Sequence, residues 1–205
     1  SQGAREKEKM SVGAVALPAF VQPSEVAEIL FTPDQLQNRC AELAADISAH
    51  YKPLLKEGEP LILVGILKGS CIFFADLLRH LDVPNEMEFM RFTSYGANTV
   101  SSGNVQMLLD LTRDIAGRHV LIVEDILDTG TTFAHLLALL RTRGPASLRS
   151  VVLLHKAERT TCDVKCDHVG FVIPDKFVIG YGLDFNEKYR SLPFIGVLDP
   201  SVYKA

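Results

Sequence analysis

An apolar stretch of the sequence runs directly into a cluster of acids and hydroxyls, "VLIVEDILDTGTTFAHLLALL" at residues 120–140. Three acids come first, Glu124, Asp125 and Asp128, and a turn made of Thr129, Gly130, Thr131 and Thr132 follows them. Carboxylates can hold a metal ion, accept hydrogen bonds from hydroxyls or accept a proton. Which of these they do depends on what the neighbouring turn can bind.

The hydroxyl-rich turn, residues 129–132, is suited to an anion. A glycine at its second position lets the backbone turn tightly. The amphipathic helix predicted after it would direct free N–H groups and its positive dipole end at the turn. The threonine hydroxyls add further donors, so a monophosphate would fit. The alternative, an ordinary threonine-rich helix cap, explains the turn by itself equally well.

The acids favour a ligand over a plain cap. Glu124 and Asp125 end a buried strand, where two carboxylates without partners would be costly. The hydroxyls of a ribose or a Mg²⁺ ion would supply those partners. Asp128 lies closer to the turn, where it could accept a proton from a substrate. The G-x4-G-K-[ST] spacing of a P-loop is missing, and so is the Rossmann fingerprint.

Apolar periodicity predicts the elements that position these residues. A helix should begin at a capping box of Thr32 and Gln35, with Pro33 first. Residues 60–67 read as a strand covered on both faces, followed by Lys68, Gly69 and a helix. Residues 86–95 and 106–111 predict an antiparallel strand pair around a polar loop. A strand over 120–123, a loop over 124–131 and a helix from about Thr132 come next. The helical spacing predicts that this helix buries Phe133, Leu136, Leu137 and Leu140. A strand over 150–156 ends in Lys156.

Alternating strands and helices predict an α/β fold with a mainly parallel central sheet flanked by helices. In such sheets ligands bind at the carboxyl ends of the strands. Lys68, Glu124, Asp125, Asp128 and Lys156 all fall at or just after predicted strand ends. We therefore expect them to form one site.

Composition narrows the partners. The chain has 205 residues, 47% of them hydrophobic, and a net charge of −4. That charge argues against binding of a nucleic-acid backbone, and no apolar stretch is long enough for a bilayer. Four scattered cysteines favour free thiols. These features predict a cytoplasmic protein that binds small molecules, with polar residues 1–10 disordered.

The segment "VLIVEDILDTGTT" resembles the signature of the type I phosphoribosyltransferases, which bind 5-phosphoribosyl 1-diphosphate, here called the ribosyl diphosphate. The stretches "GILKGSCIFFADLL", "TSYG", "LLHKAERT", "IPDKFVIGYGLDFNEKYR" and "VLDPSVYKA" resemble the hypoxanthine-guanine branch of that family. The resemblance implies the type I phosphoribosyltransferase fold, with a small hood subdomain built from the terminal segments and a flexible lid loop. It implies an N-terminal extension over 1–30, a transferase domain over 31–205 and a core over about 55–175.

The implied activity is purine salvage. Hypoxanthine or guanine and the ribosyl diphosphate would give IMP or GMP and pyrophosphate, with Mg²⁺ as cofactor and a homodimer or homotetramer as the assembly. Asp128 would be the acid-base group near N7 of the purine. Glu124 and Asp125 would hold the ribose hydroxyls, directly or through Mg²⁺, and Thr129, Gly130, Thr131 and Thr132 would bind the 5′-phosphate.

The remaining implied residues bind the base and the pyrophosphate. Lys156 would donate to the 6-oxo group, Phe177 would stack on the base, and the main chain of Lys176 and Val178 would read its edge. Lys68, Gly69 and Arg190 would bind pyrophosphate, with Asp184 on its Mg²⁺. The family carries a non-proline cis peptide at the position of Leu67–Lys68. Ser94 and Tyr95 would head the lid, and Thr131 stands where many relatives have lysine.

Two other functions stay open at this point. The same fold could prefer xanthine or accept 6-oxopurines more broadly. It could also be a regulatory protein that binds the ribosyl diphosphate or RNA without catalysis. The presence of Asp128, Lys156, Asp184 and Arg190 argues against that loss.

Overall fold

The computed structural model describes Val15 and residues 17–94 and 105–203. These divide into two compact units: a terminal unit, made of the chain up to residue 37 and from residue 176, and a central unit of residues 38–175. The domain boundaries expected from the sequence, near 30 and 55, stay predictions.

The secondary structure follows in chain order. The strands are β1 (Val26–Phe31), β2 (Leu61–Leu67), β3 (Asn85–Ser94), β4 (Val105–Leu109), β5 (His119–Leu127), β6 (Ser147–His155), β7 (His168–Val172), β8 (Val178–Ile179) and β9 (Ile195–Leu198). The helices are α1 (Pro33–Tyr51), α2 (Cys71–His80), α3 (Thr131–Arg141) and α4 (Pro200–Tyr203), and a 3₁₀ turn spans Pro23–Glu25.

The central unit is built on a six-stranded sheet in the order β4-β3-β2-β5-β6-β7. Every neighbouring pair is parallel except β3 and β4, which are antiparallel as predicted. The predicted α/β fold with a mainly parallel sheet is therefore confirmed.

Helices cover both faces of this sheet, which explains why β2 is apolar along its length. Val64 and Ile66 pack in one cluster with four α3 residues, Phe133, Leu136, Leu137 and Leu140, the buried face predicted for that helix. Side chains alternate along a strand, so Gly65 faces the opposite side. There a Cβ on Gly65 would lie 2.8 Å from a ring carbon of Phe74 in α2, so this helix packs closely against the sheet.

The terminal unit contains a three-stranded antiparallel sheet in the order β1-β9-β8. Its core includes Val26, Ile29, Ile179, Phe194 and Leu198. Sequence patterns alone did not predict β1, because its partner β9 comes from the opposite end of the chain.

The start of α1 forms the predicted capping box. The N–H of Thr32 donates to Oε1 of Gln35 at 2.9 Å, and the N–H of Gln35 donates to Oγ1 of Thr32 at 3.3 Å. No helix within residues 17–94 and 105–203 combines the length and hydropathy needed to cross a bilayer.

The predicted end of β5 was wrong. The strand continues to Leu127 and α3 begins at Thr131, so the connecting loop is only residues 128–130. Pairing with β2 stops at Val123, but pairing with β6 continues through Glu124 and Leu127. Glu124 and Asp125 therefore lie on a strand. The prediction failed because it ended the strand where its side chains turn polar, whereas backbone pairing with one neighbour continues past that point.

Candidate active site

Three adjacent parallel strands deliver charged residues to one edge of the central sheet. Lys68 follows β2, Asp128 follows β5 and Lys156 follows β6. Neighbouring parallel strands end at the same edge, so the three residues come together there. The N–H of Lys156 donates to the carbonyl of Leu127 at 2.9 Å, which fixes the ends of β5 and β6 to each other.

The turn after β2 lies against Glu124 and Asp125 of β5, which we call the acid pair. A Cβ placed on Gly69 would be 1.6 Å from Oδ2 of Asp125. A side chain at this position would therefore displace the carboxyl group of Asp125, and only glycine leaves it in place. The predicted cis peptide at Leu67–Lys68, directly before this turn, is confirmed.

The acid pair carries an electrostatic cost. Burial by surrounding protein and the charge of Asp125 together raise the pKa of Glu124 well above its ordinary value. Oδ1 of Asp125 accepts a hydrogen bond from the N–H of Ile126 at 2.9 Å. A bound cation or hydroxyl donors would relieve the repulsion between the two carboxylates. Hard oxygen ligands of this type suit Mg²⁺, which commonly uses one or two carboxylates together with phosphate and water.

The hydroxyl-rich turn leads directly into the N-terminus of α3, as predicted. Gly130, the residue before α3, has a φ of 87°, a left-handed conformation that favours glycine. The first helical hydrogen bond runs from the N–H of Ala134 to the carbonyl of Gly130, so the earlier N–H groups have no partner within the helix. A pocket of about 120 Å³ lies here, lined by Glu124, Ile126, Leu127, Asp128, Thr129, Gly130, Thr132 and Phe133.

The segment after β6 holds this turn in place. The hydroxyl of Thr160 donates to the carbonyl of Asp128 at 2.8 Å, and the N–H of Thr161 donates to that of Thr129 at 3.1 Å. Oγ1 of Thr131 lies 3.7 Å from Sγ of Cys162. The backbone of the turn is therefore fixed without help from a ligand.

Asp128 and Lys156 belong to a ring of alternating charges that sequence reasoning missed. Nε of Arg159 lies 2.6 Å from Oδ1 of Asp128, and its Nη1 lies 3.2 Å from Oδ2 of Asp175. Nζ of Lys156 lies 3.1 Å from Oδ1 of Asp175 and 3.9 Å from Oδ2 of Asp128. We call these four residues the charge ring.

The members of the charge ring differ in their exposure to solvent. Lys156 is buried, with 9% of its side chain exposed, whereas the other three are partly exposed. The hydrogen bond from Lys156 is the main cause of the lowered pKa of Asp175, and the hydrogen bond and charge of Arg159 lower it further. Only a weak sequence signal pointed to Arg159 and Asp175. Each lies close in the chain to a predicted purine-binding residue, Arg159 shortly after Lys156 and Asp175 directly before Lys176.

In the terminal unit, Phe177 belongs to a group of aromatic rings. It stacks on Tyr203 with ring centres 5.2 Å apart and contacts the edge of Phe185 at 5.6 Å. The residue remains 38% exposed, so part of its surface is open to a ligand. Lys176 is paired through Nζ with Glu28 at 2.5 Å, and Val178 lies in β8 opposite Val197.

Asp184 and Arg190 are brought together in the same unit. Nη2 of Arg190 lies 2.9 Å from Oδ1 of Asp184, and its Nη1 donates to the carbonyl of Gly182 at 2.8 Å. Oδ2 of Asp184 accepts from the N–H of Glu187 at 2.9 Å. A carboxylate has about four lone-pair sites, so these contacts leave capacity for a metal ion.

The lid prediction is covered only at its start. Ser94 is the last residue of β3, and Tyr95 lies outside the described residues. Within the described part of the chain, no group of three or more His, Cys, Asp and Glu residues is arranged to hold a metal by itself.

Comparisons with known proteins identify the family of the chain. Residues 32–186 match a family described as a phosphoribosyl transferase domain. A hypoxanthine-guanine phosphoribosyltransferase of Mycobacterium avium is 48% identical over 190 residues, which is 92% of this chain and 94% of that protein. The Bacillus subtilis protein of the same name is 44% identical over 181 residues, 88% of this chain and 98% of the relative.

A solved structure is similar in fold as well as in sequence. The hypoxanthine phosphoribosyltransferase of Trypanosoma cruzi, in complex with the product IMP, superposes with a TM-score of 0.83 and 45% identity, over 92% of this chain and 100% of that one. The chain therefore belongs to the phosphoribosyltransferases and, within them, to the hypoxanthine-guanine phosphoribosyltransferase family.

Proposed function

We propose that this protein catalyses a purine-salvage reaction, the transfer of the phosphoribosyl group from the ribosyl diphosphate to N9 of hypoxanthine or guanine. The products are IMP or GMP and pyrophosphate. Membership of the hypoxanthine-guanine family supports this reaction. The observation that carries it is the meeting of Lys68, Asp128 and Lys156 at one sheet edge, beside the acid pair and the turn before α3.

The 5′-phosphate is assigned to the hydroxyl-rich turn. N–H groups at the start of α3 and the hydroxyls of Thr129, Thr131 and Thr132 would donate to its oxygens, and the left-handed Gly130 directs the backbone toward it. Thr131 offers a hydroxyl where many relatives offer an ammonium group. Phosphate binding here would therefore depend more strongly on backbone donors.

The ribose is assigned to the acid pair. Glu124 and Asp125 would accept hydrogen bonds from its two hydroxyls, directly or through Mg²⁺, and this would relieve the cost that raises the pKa of Glu124. Positive charge develops on the ribose as its bond to the diphosphate lengthens. Fixed carboxylates close to that charge stabilise the transition state.

The purine is assigned to Asp128 and Lys156. The ammonium of Lys156 donates to the 6-oxo group and cannot accept from the 6-amino group of adenine. N9 of the purine forms a bond to C1′ of the ribose while the C1′–O bond breaks. The electron pair of the broken C1′–O bond leaves with the pyrophosphate. Asp128 accepts the proton from N7. N7 and the 6-oxo group lie on one edge of the purine, and Oδ2 of Asp128 and Nζ of Lys156 lie 3.9 Å apart, close enough to contact that edge together.

The terminal unit is assigned to the base and the leaving group. Phe177 would stack on the purine with its exposed surface, and the main chain of Lys176 and Val178 would read its edge. Arg190 would bind pyrophosphate, as would Lys68 and Gly69 in the central unit. Asp184 would hold a Mg²⁺ ion, which supplies positive charge to the diphosphate oxygens when bound.

The assembly is assigned from the exposed surface of the central sheet. A homodimer or homotetramer is favoured by exposed apolar side chains on two neighbouring strands, namely Met87, Met107, Leu108 and Leu109. Light scattering on the purified protein would test this. The cytoplasmic location stays a prediction.

Replacement of Asp128 by asparagine tests the assignment of the acid-base group. Asp128→Asn should bind the ribosyl diphosphate normally but lose about 10²- to 10⁴-fold in kcat, the usual contribution of a positioned acid-base group. Asp163→Asn, which removes an exposed carboxylate from the loop after β6, is the matched control. Normal turnover by Asp128→Asn would disprove the assignment.

A further inference from the structure

We propose that Arg159 is a positioning residue for the reaction, and that it acts by holding Asp128 and Asp175 together across the charge ring. This inference rests on the proposed function, because it assumes that Asp128 and Lys156 face the purine. Arg159 itself need not contact a substrate.

The geometry of the charge ring gives three of its four carboxylate oxygens a cation at hydrogen-bond distance. Asp128 uses Oδ1 for Arg159 at 2.6 Å, and Asp175 uses Oδ2 for Arg159 at 3.2 Å and Oδ1 for Lys156 at 3.1 Å. The fourth edge, from Oδ2 of Asp128 to Nζ of Lys156, is 3.9 Å, longer than a hydrogen bond. Three of the four contacts are thus at hydrogen-bond distance. The longer fourth separation lies between the two groups assigned to the purine.

This arrangement would set the orientation of the acid-base group. Asp128 lies in a three-residue loop, and rotation of its carboxyl would exchange the two oxygens. The bond to Nε of Arg159 fixes Oδ1 and thereby presents Oδ2 toward Lys156. A guanidinium is planar and holds several donors in a fixed fork, so it can bridge two carboxylates at set positions, whereas an ammonium is a single compact charge.

The same contacts connect Asp128 to the purine-reading lysine. Arg159 anchors one oxygen of Asp175, and the other oxygen anchors Nζ of Lys156. Asp175 and Arg159 would therefore keep the proton acceptor and the 6-oxo donor at one separation. A shift of about 1 Å in such a pair can cost about 10²-fold in rate.

A purely structural role for Arg159 is the competing explanation. Arg159, Asp128 and Asp175 are 44%, 39% and 45% exposed, and ion pairs this exposed contribute little to stability. The turn is held independently through Thr160 and Thr161, whose bonds do not involve the guanidinium. Removal of the side chain should therefore leave the fold intact and change the reaction.

The test compares steady-state kinetics of Arg159→Ala and Arg159→Lys with those of the wild type. Arg159→Ala should lose at least about tenfold in kcat, while KM for the ribosyl diphosphate changes by less than about twofold. Arg159→Lys should be intermediate, because an ammonium can hold one carboxylate but not bridge both. Arg141→Ala, at the exposed end of α3, controls for the loss of one arginine and should match the wild type.

A double-mutant cycle tests the route through Asp175. Because the two residues share one contact, Arg159→Ala combined with Asp175→Asn should lose less kcat than the product of the single losses. Full additivity would contradict the bridge. A wild-type kcat in Arg159→Ala, or a loss confined to KM for the ribosyl diphosphate, would also overturn the proposal.

Two further measurements separate the possible failures. Thermal unfolding of each variant shows whether a loss of kcat reflects loss of the folded state. If Arg159→Ala does not fold, Arg159→Lys carries the test. A folded but completely inactive Arg159→Lys would then contradict a role in which an ammonium partly replaces the guanidinium. Asp128→Asn is run in parallel. Full activity of Asp128→Asn would refute the acid-base assignment and with it this inference. No turnover of hypoxanthine or guanine by the wild type would refute the proposed function. An inactive Asp128→Asn beside a fully active Arg159→Ala would refute this inference alone.

Discussion

Replacement of Gly69 by alanine should damage catalysis while leaving the fold intact. The added Cβ would lie 1.6 Å from Oδ2 and 2.6 Å from Cγ of Asp125, whereas real contacts of this kind are no shorter than 3.0 Å. The oxygen must therefore move by the difference, about 1.4 Å, and the carboxyl group can do so by rotating its side chain.

The size of the effect follows from that displacement. Misplacement of a reacting group by about 1 Å costs about 10²-fold in rate. Each tenfold corresponds to about 1.36 kcal/mol, so Gly69→Ala should raise the barrier by about 2.7 kcal/mol. The assay is pyrophosphate release at varied ribosyl diphosphate, and the expected result is a fall of about 100-fold in kcat/KM for that substrate.

Stability should separate this variant from a general defect. Gly69 is not in a left-handed conformation, so Gly69→Ala should change the free energy of unfolding by less than about 1 kcal/mol. Gly58→Ala is the matched control: Gly58 has a φ of 77° and nothing within 4 Å of an added Cβ. It should lose about 1–2 kcal/mol of stability without losing activity. A folded Gly69→Ala with wild-type kcat/KM would refute the reasoning.

Three other changes test separate parts of the account. Lys156→Gln should lower kcat/KM for hypoxanthine by about 10- to 100-fold, since a hydrogen bond from a charged group contributes about 1.5–3 kcal/mol; an unchanged kcat/KM would contradict its assignment. Gly130→Ala should weaken IMP binding in calorimetry and lower the free energy of unfolding by about 1–2 kcal/mol, because its φ is 87°; unaltered values for both would be contrary to expectation. Burial tends to raise the pKa of Glu88, but hydrogen bonds from Thr112 and Arg113 outweigh it and lower that pKa below its ordinary value. The stabilisation from Glu88 is therefore present at neutral pH and lost as the pH falls through that lowered pKa, so the stability difference from Glu88→Gln should shrink on acidification.

Local patterns in the sequence were sufficient for much of the fold. Leu136 and Leu140 lie on the buried face that helical spacing predicted for α3. Lys68, Asp128 and Lys156 follow strands whose apolar runs were recognisable, so their meeting at one edge followed from the parallel topology. These features depend on residues that are close in the chain, which is why periodicity could identify them.

Other parts of the site depend on contacts between distant segments. Arg159 reaches Asp128 across 31 residues, and its pairing with Asp175 spans 16. The closeness of Gly69 to Asp125 exists only because β2 and β5 are neighbours in the sheet. No pattern in the sequence encodes these distances, so the sequence indicated which residues could do chemistry but not which ones orient them.

The most direct test of the account is pyrophosphate release by the wild-type protein from the ribosyl diphosphate and Mg²⁺, measured in parallel with hypoxanthine, guanine, xanthine and adenine. The account predicts turnover with hypoxanthine and guanine and none with adenine, because Lys156 can donate to a 6-oxo group but cannot accept from a 6-amino group. The xanthine reaction defines how broad the 6-oxopurine preference is. Turnover with adenine, or tight binding of the ribosyl diphosphate without turnover of any base, would contradict it.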